Sequence, residues 1–211
     1  MVITYYGLEF FKIQFGEIVI AFNPPSKESE LKSSRFSSDV VLISLNHKDF
    51  NGADTLAGAE KKPFVVNGPG EYETKDIFIK GFSSKSSYGG EEQINTIYML
   101  SLESMNLCFL GGINSPDLPQ QFKDNLTEDI DVLFVPIGNE GVLDSAMAYK
   151  LAVKLEPKII IPMHYSGEDD KYLKMFLKEE GISKLESLDK LTLKPKDLVG
   201  KEGEIITLSQ K

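Results

Sequence analysis

Asp131-Val-Leu-Phe-Val-Pro136, then Asp144 to Glu156, then Lys158-Ile-Ile-Ile-Pro162 read in order as strand, helix and strand. The outer runs are short and apolar. Between them Ala148, Leu151, Ala152 and Leu155 share one helical face, Asp144 stands as the N-cap, and Pro157 stops the helix. A strand-helix-strand unit of this kind is a right-handed crossover joining parallel strands. Outward from it, the N-terminal half supplies β-type runs at Val2 to Tyr6, Phe10 to Phe15, Ile18 to Phe22, Val40 to Ser44, Phe64 to Val66, Ile77 to Gly81 and Thr96 to Leu102. A second helix, Asp170 to Glu180, ends at Gly181, where a C′ glycine belongs. Two late strands follow, at Lys190 to Lys194 and Glu204 to Leu208. Strands first and β-α-β afterwards predict a layered α/β architecture.

The 211 residues are enough for one substantial core, and a single domain over 1–211 is expected. A formal charge of −9 repels phosphate backbones, so nucleic acid is not an expected partner. No apolar run approaches the roughly 20 residues that span a bilayer, so no membrane partner is expected. The N-terminus lacks the basic and apolar regions of an export signal, which predicts a cytoplasmic protein. Cys108 lies in an apolar run, Leu107 to Leu110, and reads as a buried strand position. Ser33, Ser34, Ser37 and Ser38, and the run Ser83-Ser-Lys-Ser-Ser-Tyr-Gly-Gly90, read as polar loops. No repeat with a period of about 20–50 residues is present.

Several segments resemble the metallo-β-lactamase superfamily. Val40-Val-Leu-Ile-Ser-Leu-Asn-His-Lys-Asp-Phe50 is similar to its strand and H-x-H-x-D-H loop, with Leu45, His47, Asp49 and Phe50 at the four ligand positions. Leu107-Cys-Phe-Leu-Gly-Gly-Ile113 resembles the strand that normally ends Gly-Asp, which puts Gly112 where the bridging carboxylate would stand. Pro157-Lys-Ile-Ile-Ile-Pro-Met-His-Tyr165 resembles the closing strand and keeps its histidine as His164. The opening, Ile3 to Ile13 followed by Ile18 to Pro24, is similar to a small, lactonase-like branch of metal-dependent hydrolases. There Leu8 stands for a usual His and Asn23 for a usual Asp.

The resemblance implies a four-layer αβ/βα sandwich. It also implies that His47 would serve one metal while Asp49 and His164 serve the other, so the surviving ligands are split between two shells. Catalytic zinc takes three protein ligands plus water, and apolar side chains supply none. Leu8, Leu45, Phe50 and Gly112 all depart by losing a polar group. The expectation is therefore a degenerate member of the family without the dinuclear site and with no cofactor. It would act by binding a small molecule, by pairing with itself, or by pairing with an active relative. The alternative is a hydrolase of an ester, lactone or phosphoester with one Zn or Mn ion on His47, Asp49 and His164. A third reading is an interaction protein that uses the serine-rich loops. Asn23, Glu71 and Tyr165 are further candidates for the pocket. The Pro69-Gly70 turn before Glu71 and Glu73 would either fold those carboxylates over the cleft or simply turn the chain with Tyr72 packed inward. Glu168, Asp169 and Asp170 are expected to cap the helix that follows them.

Overall fold

The computed structural model describes residues 1–34, 36–56 and 62–211. Two mixed sheets face each other. The first contains β1 (Val2–Gly7), β2 (Phe10–Phe15), β3 (Ile18–Phe22), β4 (Val40–Leu42), β5 (Phe64–Val66) and β12 (Leu191–Thr192), in the order β12-β1-β2-β3-β4-β5. The second contains β6 (Gly70–Thr74), β7 (Ile77–Ser86), β8 (Gln93–Leu102), β9 (Met105–Phe109), β10 (Val132–Pro136), β11 (Ile159–Met163) and β13 (Glu204–Ile205), in the order β13-β11-β10-β9-β8-β7-β6. In the first sheet β3, β4 and β5 run parallel; in the second, β9, β10, β11 and β13 do. The expected crossover is present, with β10 and β11 in register from Val132 opposite Ile159 to Pro136 opposite Met163.

The core forms where the two inner faces meet. Phe22 stacks on Phe109 at 4.4 Å and Phe11 meets Phe134 edge-on at 5.0 Å, joining the sheets through aromatic contacts worth about 0.5–1.5 kcal/mol each beyond burial. β10 and β11 are buried along their whole length, as parallel strands covered on both faces must be. Their outer cover is α2 (Ser145–Leu155) and α3 (Lys171–Glu179), which bury Ala148, Leu151 and Ala152, and Leu173, Phe176 and Leu177. Asp144 accepts the Met147 N–H, and Asp170 accepts those of Tyr172 and Leu173, so both helices start at the caps read from the sequence. The outer face of the first sheet has a thinner cover. Phe10, Ala21, Val41, Ile43 and Leu56 form a small second core there, with Tyr6, Phe36 and Ala53 packed against it. The result is an αβ/βα sandwich.

One local expectation needs correction and one element is additional. Ser83 to Ser86 are not loop: they extend β7 and pair with β8 out to Gln93, leaving only Tyr88 to Gly90 as a 3-10 turn. The short helix α1 (Gln120–Asn125) was not expected; it docks Phe122 against Phe82 at 5.4 Å. Of the two alternatives for Pro69-Gly70, the plain turn is the one observed: Glu71 and Glu73 lie on the edge strand β6, away from the cleft, and Tyr72 packs against the core. Among the described residues no helix is long and apolar enough to cross a membrane.

Candidate functional site

The parallel strands of both sheets point their C-terminal ends to the same edge, the usual position of binding sites in α/β folds. Five segments converge there: the β1–β2 turn with Leu8 and Glu9, Asn23 after β3, the loop after β4 with His47 and Asp49, Gly111 and Gly112 after β9, and His164 after β11. Leu8, Asn23 and His164 all hold left-handed backbone, with φ of 50°, 47° and 69°. For Leu8 and His164 this conformation costs about 1–2 kcal/mol each. The His164 N–H donates to the Leu8 carbonyl and so ties the second sheet to the hairpin of the first.

At the centre lies a residue that the sequence did not single out. Glu9 is fully buried, and its Oε1 lies 3.1 Å from Nδ1 of His164, itself only 8% exposed. The other oxygen accepts from Asn23 Nδ2 at 3.0 Å. That amide also donates to Ser44 Oγ at 2.8 Å, while Asn23 Oδ1 accepts the Ser44 N–H at 2.8 Å. Burial pushes the Glu9 carboxyl above its usual range, against the opposing pull of His164 and Asn23. Gly112 faces this carboxylate, since a Cβ built there would sit 3.6 Å from Glu9 Oε1. A carboxylate thus occupies the neighbourhood of the expected bridging ligand, but it arrives from the opposite sheet. The one available signal was a lone charge inside the apolar hairpin run Tyr5 to Phe11.

His47 and Asp49 form a second cluster. The Asp49 N–H donates to His47 Nδ1 at 3.2 Å, and the carboxylate lies 3.6 Å from the same nitrogen. Both carboxylate oxygens are engaged, Oδ1 by the Ser29 hydroxyl and Oδ2 by the Tyr88 hydroxyl at 2.8 Å. Tyr88 stands between the two clusters. Its ring meets His47 at 4.9 Å, Phe50 at 5.0 Å and His164 at 5.3 Å, each edge-on. Burial and the hydrogen bond to Asp49 push its phenol well above the ordinary value, so it remains a donor.

The other candidates are structural in their contacts. Leu45 and Phe50 are buried; Leu45 forms a bridge to Asn95, and Phe50 packs on the rings of His47 and Tyr88. Tyr165 turns away and exchanges hydrogen bonds with the backbone of Leu208. Glu71 is exposed and its nearest cation is Lys80 at 4.0 Å, so it supplies nothing to the histidines. Among the described residues no group of three or more His, Cys, Asp or Glu side chains is arranged to hold a metal ion. The donors are not gathered into a metal shell: His164 Nδ1 faces Glu9, His47 Nδ1 accepts a backbone amide, each Asp49 oxygen accepts one hydroxyl, and the Tyr88 ring lies between the two imidazoles. The depression beside Leu8 and Asp49 has a volume of about 20 Å³, room for a single water. A larger groove of about 670 Å³ lies at the other end of β11, along Glu156, Pro157 and Lys158, remote from this chemistry.

Fold and site geometry together define a two-sheet αβ/βα sandwich with its polar cluster at the strand ends. The chain belongs to the family described as the beta-lactamase superfamily domain, whose profile matches residues 2–164. It is 26% identical over 198 residues to a UPF0173 metal-dependent hydrolase of Lysinibacillus sphaericus, across 79% of this chain and 86% of that protein. A Bacillus cereus protein of the same description is 26% identical over 213 residues, covering 82% of this chain and 90% of its own length. A Thermotoga maritima member of the metallo-beta-lactamase superfamily, for which zinc-dependent hydrolysis has been suggested, superposes with a TM-score of 0.76 at 26% identity. That match covers 100% of this chain and 99% of the other. These names favour the metal-dependent hydrolase alternative over the degenerate reading.

Proposed function

We infer that this chain keeps the fold of a hydrolase family and uses its strand-end cleft for binding, without a dinuclear metal centre. One observation carries the reading: the space between His47 and His164 is filled by Tyr88, and the buried donors behind it satisfy one another through Glu9, His164, Asn23 and Ser44. A cation held between the two imidazoles would have to displace the ring. The expected ligand is a small molecule, and a second copy or an active relative of the chain is the other candidate partner.

The second reading is a hydrolase with one metal on His47, Asp49 and His164, and the relatives' names support it. Fold alone does not choose between them, because chemistry resides in the site. Elemental analysis of protein purified without added metal, followed by thermal-shift titration with zinc and with manganese, separates the two. The binding reading expects far less than one metal per chain and an unmoved melting temperature, since there is no linkage without binding. One tightly held equivalent would overturn it. So would hydrolysis of an ester, lactone or phosphoester that is abolished alike by chelator, His47→Ala and Asp49→Ala.

A further inference from the structure

Tyr88 is held as a ligand would be. Its ring is surrounded by three rings set near-perpendicular to it, those of His47, Phe50 and His164, and its hydroxyl donates to a carboxylate at the slot's end. That carboxylate keeps its place independently of the tyrosine, because Ser29 and its own backbone amide on His47 fix it. The residues after Tyr88 are Gly89 and Gly90, at φ of 80° and 95°, and both are exposed. The turn itself is pinned from the other side: the Ser87 N–H donates to the Gly141 carbonyl at 2.9 Å and Asn114 donates to Ser87 Oγ at 2.7 Å. The side chain can therefore leave by rotation about χ1 while the turn stays, at the loss of one hydrogen bond and three ring contacts.

We propose that the slot is a binding site for a planar aromatic molecule bearing a hydroxyl donor, with Tyr88 as its built-in occupant. The proposal rests on the metal-free reading of the same cleft and adds a ligand class to it. The walls select a flat ring, since three edges converge on one ring face-and-rim position. The Asp49 carboxylate selects a neutral donor over an anion, which it would repel. In the wild-type chain the ligand competes with Tyr88, so its apparent affinity falls by the fraction of time the slot is open. The device works as a self-occupied pocket: any ligand that enters also releases the Tyr88 ring to solvent.

Phenol is the probe, and Tyr88→Gly is the variant that empties the slot. Phenol should raise the variant's melting temperature saturably, bind it at least about tenfold more tightly than wild type, and lose that advantage when Asp49→Ala is added. Only two histidines exist, so their imidazole C2–H proton signals report the slot directly. Both should move with phenol in the variant. A folded Tyr88→Gly chain that ignores phenol overturns the proposal and leaves the metal-free reading standing. Zinc binding to that variant with sub-micromolar affinity, set about −8 kcal/mol or tighter, overturns both. If Tyr88→Gly does not fold, wild type carries the test: saturating phenol should shift both histidine signals together with that of the Tyr88 ring, and unmoved signals would refute the site.

Discussion

Replacing Glu9 by alanine removes a buried side chain that joins the two sheets at the candidate site. In the wild type its carboxylate is fully buried and holds His164 at 3.1 Å and Asn23 at 3.0 Å. Alanine leaves His164 Nδ1 without its carboxylate and takes from Asn23 Nδ2 one of its two acceptors. Removing one member of a buried, hydrogen-bonded carboxylate–imidazole pair costs about 3–5 kcal/mol. For a chain of this length each kcal/mol moves the midpoint by about 2–4 °C, so the melting temperature should fall by roughly 6–20 °C. Glu9→Gln is the control, because the amide matches the carboxylate in shape and still offers both an acceptor for Asn23 and a group for His164. It should cost much less than alanine, of the order of 1 kcal/mol. Calorimetry and urea unfolding of the three proteins give the comparison. A drop below about 1 kcal/mol for Glu9→Ala would refute the argument. So would equal losses for alanine and glutamine, which would mean that shape rather than the bonded network holds the site.

The Glu9 carboxyl is raised by burial, so the native state keeps its proton to higher pH than the unfolded chain, whose value lies near 4.5. Its stabilising contribution is complete below that value and is lost as pH rises through the native one; Glu9→Gln should therefore gain on wild type as urea midpoints are followed upward from about pH 4. Gly138→Ala would put a Cβ 2.2 Å from His164 Cδ2, so the ring must shift. The expected loss is about 1–3 kcal/mol, with a displaced His164 proton signal as the structural readout. Asp144→Ala removes the cap of α2, and urea unfolding should record a loss of about 1 kcal/mol with the site's proton signals unchanged.

The sandwich was legible because its signals are local or periodic. Ser145–Leu155 is announced by its cap, its apolar face and Pro157, and β10 and β11 by unbroken apolar runs on either side of it. Ser83 to Ser86 misled because serine reads as loop by itself, whereas here pairing with β8 decides the conformation. In the site, His47, Asp49 and His164 could be placed by their context, and Leu45 and Phe50 by their apolar character. Glu9 could not. Its role depends on the left-handed turn at Leu8, which aims the next side chain into the interior, and on an imidazole 155 residues away. Tyr88 was hidden for the same reason: nothing near it in sequence marks the three rings and the carboxylate that surround it.

The pairing of β1 with β12 sets Val2 opposite Thr192, so β1 finds its outer neighbour only after some 190 further residues have been made. Contacts so distant in sequence make folding slow. Until they form, the outer edge of β1 offers unpaired amides and carbonyls to any passing strand. Production of this chain should therefore be limited by how long that edge is exposed during synthesis, and slower growth at lower temperature should raise the yield of folded protein.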